Sequence, residues 1–282
     1  MSTFTVMEPP PEQVETHSSY RKRTQEENAH TQEIVIAMAH DVKRDGGYIL
    51  VSELETRSLF SRVKLSGKRM LEVGCGTLPV TMAIPAHDQP RLFIASDVNL
   101  KIVAEARVID QHPQYVVFSA LDPAIKPGSL DYIVLNGVLH HLPPECNLLG
   151  VLGNLLAPGG RILMLEPNVS CGPAECIKWI LRRFFGMSME ASPYGQFSRK
   201  TILELVDRAN LEVEREWFAS LFAFPLTGGG GRVKIVPDSR VIFRVLVALD
   251  QMVSKVLHTV TPLARFLHWR VLYSIKTKSD RH

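Results

Sequence analysis

The chain has 282 residues, enough for one large domain or for one domain carrying a cap. Its 45% hydrophobic and 22% charged content is that of a folded globular protein and excludes disordered and fibrous classes. The net charge of +3 is unevenly spread: residues 232–282 hold ten Lys and Arg against three Asp and Glu, leaving 22 against 26 elsewhere.

Residues 1–27 begin with Glu8-Pro-Pro-Pro11 and stay polar to Arg21-Lys-Arg23, the composition of a loosely attached arm. Asn28 to Lys43 reads as a helix with Ile34, Val35, Met38, Ala39 and Val42 on one face, stopped by Gly46-Gly47. With the partly helical segment 48–66 it forms an expected N-terminal arm and lid, 1–66, ahead of a core over 67–282.

From Arg69 the pattern becomes strand, turn, helix. Strands are expected near 69–74, 91–97, 114–119, 130–136 and 160–166, then at 211–218 and 269–276. Such alternation argues for βαβ units around a parallel sheet. The long connections at about 169–197 and 219–268 exceed what joins neighbouring elements, so they are read as cap insertions. The second includes a basic, amphipathic helix at about Val241 to Val260. It packs on its own core, meets a second subunit, or lies on an anionic membrane through 239–268.

Glu72-x-Gly74-x-Gly76 ends the first strand, and its glycines let backbone approach a ligand closely. Twenty-one residues beyond Gly76, Asp97 closes the second strand, where a carboxylate can accept both ribose hydroxyls. A dinucleotide site would want a third glycine at position 79, where Pro79 stands; Glu72 supplies an acid that suits a cationic sulfonium. The two departures favour S-adenosylmethionine over NAD.

These segments, with Ser96-Asp-Val98, Ala120-Leu-Asp122, Leu130 to Leu135, Leu139-His-His-Leu142 and Leu156-Ala-Pro-Gly-Gly160, resemble the class I S-adenosylmethionine-dependent methyltransferases. The resemblance is to the small-molecule branch that includes ubiquinone- and menaquinone-type enzymes, and it runs from about Arg69 to Asn168. It implies a Rossmann-like, doubly wound α/β fold with a seven-stranded sheet, last strand antiparallel. Gly74, Cys75 and Gly76 would then face the methionine part, with Asp97 and Val98 on the ribose, Leu121 and Asp122 at the adenine, and Asn136 lining the methionyl pocket. The family usually has another glycine where Leu78 stands.

Methyl transfer needs positioning and, at most, one proton acceptor, for which His140 and His141 after the fourth strand are the candidates. Glu166 ends the fifth strand, where it touches substrate or holds the neighbouring loop. Trp179, Tyr194 and Phe197 in the first insertion, with Tyr20 and Tyr48 from the lid, are candidates for an apolar acceptor pocket. Cys75, Cys146, Cys171 and Cys176 read as free thiols, and no residue set reads as a metal site. Nucleic acid is not an expected partner, since the basic segment lacks interleaved aromatics. No apolar run of membrane-spanning length and no leader segment is visible, so the expected location is the cytoplasm. The expectation is methylation of a small, rather apolar molecule on oxygen or carbon. Alternatives are a lipid or isoprenoid quinone acceptor at a membrane surface, and a non-catalytic scaffold that kept the cofactor fold.

Overall fold

The computed structural model of the chain describes residues 54–77, 80–186, 196–226, 236 and 239–278. The arm and helix expected before residue 48, together with Leu78, Pro79 and Gly228 to Gly231, lie outside the described residues.

Seven strands form one sheet: β1 (Arg69–Val73), β2 (Leu92–Asp97), β3 (Gln114–Val117), β4 (Leu130–Asn136), β5 (Leu156–Pro167), β6 (Leu211–Ala219) and β7 (Arg270–Thr277). Their order is β3-β2-β1-β4-β5-β7-β6, with β1 to β5 mutually parallel and β7 antiparallel to both β5 and β6. Around the sheet lie α1 (54–60), α2 (Leu100–Ile109), α3 (Leu148–Gly153), α4 (Gly172–Phe185), α5 (Arg199–Arg208), the short α6 (Ala223–Leu226), α7 (Arg240–Leu257) and α8 (Thr261–Leu267). The seven-stranded α/β fold expected from the sequence is the one found.

Side-chain alternation along each strand produces two buried faces. Leu71, Ile133, Met164 and Tyr273 point to one, where Ile202, Leu205 and Val206 of α5 cover them. Met70, Val134, Leu163 and Leu272 point to the other, under Leu59, Leu65 and Ile84. A third cluster, Leu54, Ala223 and Phe224 against Leu246, Val247 and Trp269, seats α6 and α7 on the molecule. At the amino ends of β1 and β4, Asp131 accepts from the Arg69 backbone at 2.8 Å and from Arg69 Nε at 3.0 Å. Asp131 is thus a strand-end fastener, at the edge opposite the carboxyl ends of these strands.

Three local features depart from the sequence expectations. Among the described residues between β1 and β2 there is no α-helix; two 3-10 turns, Val80–Ala83 and Ala86–Asp88, stand there. Pro85, held extended at φ −59° and ψ 145°, and Pro90 interrupt the run, since proline lacks a donor and biases its predecessor away from helix. β5 begins at Leu156 rather than 160, because Leu130 pairs with Leu156 before the register shifts. The long C-terminal helix breaks after Leu257, and α8 restarts with Pro262 in its first turn, where a missing donor costs nothing.

Candidate functional site

The sheet order places β1 at the switch point, with β2 and β3 on one side and β4 and β5 on the other. The carboxyl ends of β2, β1, β4 and β5 are therefore neighbours along one edge, spanning roughly 14 Å at the usual strand spacing. Asp97, the turn 74–77, Asn136 and Glu166 stand on that edge in that order.

The turn is built by two left-handed glycines, Gly74 at φ +66° and Gly76 at φ +57°. A Cβ on Gly74 would come within 2.7 Å of Val138 Cγ2, so the first turn and the loop after β4 approach as closely as glycine allows. Beside Gly76 there is open space. Cys75 N donates to Ser96 O at 2.9 Å and Gly76 N to Asp97 Oδ2 at 3.3 Å, locking the turn to the end of β2. Asp97 also accepts from Asn99 N at 3.0 Å. Desolvation nevertheless raises its pKa, the backbone donors acting against that rise.

Glu72 lies deeper than the sequence suggested. It is buried beneath the turn, and its Oε2 accepts from Val80 N at 3.1 Å. Burial drives its pKa well above the ordinary carboxylate value, with Asp97 adding to the rise. In this position it holds the segment that follows the turn. Cys75 is buried, and desolvation pushes its thiol pKa up, leaving an inert thiol. Val98 is exposed beside Asp97. Past β3, Ser119 closes a tight loop: its Oγ accepts from Leu121 N at 3.3 Å and its carbonyl from Asp122 N at 2.9 Å. Leu121 is left half-buried and Asp122 exposed. Ser119 and Val138, which the sequence did not single out, shape the loops at this edge, as does Ser96. Ser96, whose Oγ donates to Glu72 O at 3.0 Å, was findable as the residue before the acid.

After β4, Leu139–His141 forms a single 3-10 turn. Glu166, buried at the end of β5, serves it with both oxygens: Oε1 accepts from Leu139 N at 2.8 Å, and Oε2 meets His140 Nδ1 at 2.6 Å. Glu166 thus holds the neighbouring loop, one of the two roles expected for it. A carboxylate is an acceptor, so Nδ1 carries the hydrogen of this contact, and in the neutral tautomer that matches it the lone pair is on Nε2. His141 stacks beside it at 4.2 Å between ring centroids. His141 is exposed where the ring of His140 is buried. Desolvation, and then the neighbouring His140, lower its pKa to about 4.

The expected aromatic pocket is not assembled by the described residues. Trp179 lies on the outer surface of α4, edge-on to Phe184 at 6.1 Å. Phe197 is half-buried against the core beside Pro167 and Tyr273. Tyr20, Tyr48 and Tyr194 lie outside the described residues. All four cysteines are free, and no metal-binding cluster occurs among the described residues.

The fold and the glycine turn at its switch point define the class: a Rossmann-like, S-adenosylmethionine-dependent methyltransferase architecture. The chain belongs to the methyltransferase-domain family, whose model matches residues 38–216. It is similar to a ubiquinone biosynthesis O-methyltransferase of Xanthomonas euvesicatoria, 31% identical over 113 residues that cover 38% of this chain and 46% of the relative. A demethylmenaquinone methyltransferase of Staphylococcus saprophyticus is 27% identical over 119 residues, covering 40% of this chain and 51% of the relative. The chain thus spans about half the length of the curated relatives it matches. Its fold resembles a chain in the complex of the Haloferax volcanii Trm112 methyltransferase activator with a methyltransferase. The TM-score is 0.58 at 13% identity, covering 89% of this chain and 98% of that one.

Proposed function

We propose that the chain transfers a methyl group from S-adenosylmethionine to the oxygen or carbon of a small, rather apolar molecule. The observation that carries this reading is the His140–Glu166 pair, one strand away from the glycine turn on the same sheet edge. The residues fit the cofactor: Gly76 leaves open space, Asp97 stands beside it for the ribose, and Asn136 is half-buried at the end of β4. Leu121 and Asp122 would flank the adenine. Glu72, through Val80, would fix the turn rather than touch the sulfonium.

The sulfonium, when bound, supplies a methyl group already activated for displacement, so the protein's work is positioning and proton removal. Glu166 fixes the His140 ring and its tautomer; Nε2 then takes the proton that the acceptor loses as it gains the methyl group. His141, whose pKa is lowered to about 4, would line the approach. The similarity to a ubiquinone biosynthesis O-methyltransferase and a demethylmenaquinone methyltransferase supports an apolar acceptor, including one dissolved in a bilayer.

The test is transfer of labelled methyl from S-adenosylmethionine into the organic phase of a metabolite extract. His140→Ala should bind the cofactor normally while turnover falls by roughly a hundredfold or more, the usual contribution of a positioned base. Full turnover in that variant would remove His140 from the reaction.

A further inference from the structure

Helix α7 is apolar on two faces, and its packing on the domain uses one. Phe243 is buried there, with Leu246, Val247 and Leu257 beside it. From the same face Asp250 accepts from the amides of Leu221, Phe222 and Ala223, each at 2.9 Å. The outer face carries Val241, Val245, Leu249, Met252 and Val256, whose spacing is a single helical stripe. All five are exposed, Met252 by 59% and Val256 by 66%, values at odds with a helix covered on both sides.

The stripe has neighbours. α8 packs on α7 and exposes Leu263 and Phe266. α4 packs on α8 so closely that a Cβ on Gly172 would meet the Phe266 ring at 2.2 Å, and α4 exposes Trp179, Ile180 and Phe184. Single exposed apolar residues are ordinary, whereas three touching helices that each present them mark an interaction surface.

Charge indicates what the surface meets. Arg244 and Lys255 fall on one border of the α7 stripe at 100° per residue, and the Arg183 guanidinium lies 5.8 Å from the Phe184 ring centroid. The three helices contain two acidic residues. Glu175 is paired with Lys178 at 2.6 Å, and Asp250 is buried as a cap. A two-fold contact with a second copy would set Arg244 and Lys255 against their own counterparts with no acid to meet them.

We infer that this face docks on an anionic phospholipid bilayer, with the α7 stripe at the headgroup boundary and the basic residues at the phosphates. The helix lies on the bilayer rather than crossing it, as no helix among the described residues is long and apolar enough to span one. α4 leaves the carboxyl end of β5, and α8 leads into β7 at that same edge, so the docked face adjoins the edge that bears His140. The purpose of the contact rests on the reading of an apolar acceptor, which a bilayer would hold within reach.

The experiment is flotation of the full chain with vesicles of phosphatidylcholine alone and of phosphatidylcholine mixed with phosphatidylglycerol. The protein should float with the mixed vesicles, weakly with the neutral ones, and come off as salt rises. Met252→Glu and Val256→Glu should each weaken the partitioning by about tenfold while binding S-adenosylmethionine as the unaltered chain does. Absence of flotation, or flotation indifferent to both substitutions, overturns the proposal. So does a dimer that the substitutions convert to monomer without any vesicle binding. Flotation that obeys these expectations while no labelled methyl is transferred supports the contact and removes the acceptor reading instead.

Discussion

Glu166 shows how one side chain can set the chemistry of another. Both of its oxygens are engaged, so the carboxylate is fixed and the His140 ring is fixed against it. An amide of equal size has one acceptor oxygen where the carboxylate has two, so Glu166→Gln cannot accept from both Leu139 N and His140 Nδ1. In that variant kcat should fall while affinity for S-adenosylmethionine holds. An unchanged kcat would reduce Glu166 to a structural brace. At the turn, Gly74→Ala adds a Cβ at φ +66° and 2.7 Å from Val138, so thermal unfolding should show a loss of about 1–3 kcal/mol. Unchanged stability would mean that the loop after β4 yields freely.

Among the elements, the far edge of the sheet depends on an unusual strap. The β6–β7 register shifts between Val213 and Arg215, and Glu214 at that irregularity reaches across β7 to Arg161 on β5. Its oxygens accept from Arg161 Nε at 2.8 Å and Nη2 at 2.9 Å, and Ser274 Oγ of the intervening strand donates at 3.0 Å. The Arg161 hydrogen bond is the main cause that lowers the Glu214 pKa from 4.5 to about 2. A depressed folded pKa means that this stability is fully present above 4.5 and is lost as pH falls through 2. Glu214→Gln should cost about 1–2 kcal/mol at neutral pH, with the gap to the unaltered chain closing in acid. Urea unfolding at several pH values would check it, and a gap independent of pH would contradict the assignment. The site-bearing edge is fastened differently: Ser220 Oγ and Arg270 Nε both donate to Glu55 at 2.7 and 3.2 Å, and Trp217 Nε1 donates to Ser58 O.

Over the whole molecule, the parts legible in the sequence are those set by local periodicity. Runs of apolar residues such as Tyr132 to Leu135 announce a strand buried on both faces, and Gly74 with Gly76 announces a turn that only glycine can make. What escaped was decided by contacts distant in sequence or by competing local rules. Nothing around residue 72 signals that Glu72 turns inward to Val80, and Glu166 meets His140 across 26 positions. Trp179 reads as a pocket aromatic by composition, yet its place on α4 is set by which side of that helix meets α8. The helix expected after β1 gives way to 3-10 turns where Pro85 and Pro90 interrupt the run.

The switch-point edge of the sheet is proposed to take a sulfonium nucleoside, with Asp97 as its ribose contact. Calorimetric titration of the full chain with S-adenosylmethionine, beside Asp97→Ala and with NAD as a control, tests it most directly. One-to-one binding of S-adenosylmethionine is predicted, weakened by about 10- to 100-fold in Asp97→Ala, with no heat from NAD. Binding of NAD in place of S-adenosylmethionine, or equal S-adenosylmethionine affinity in both chains, would contradict it.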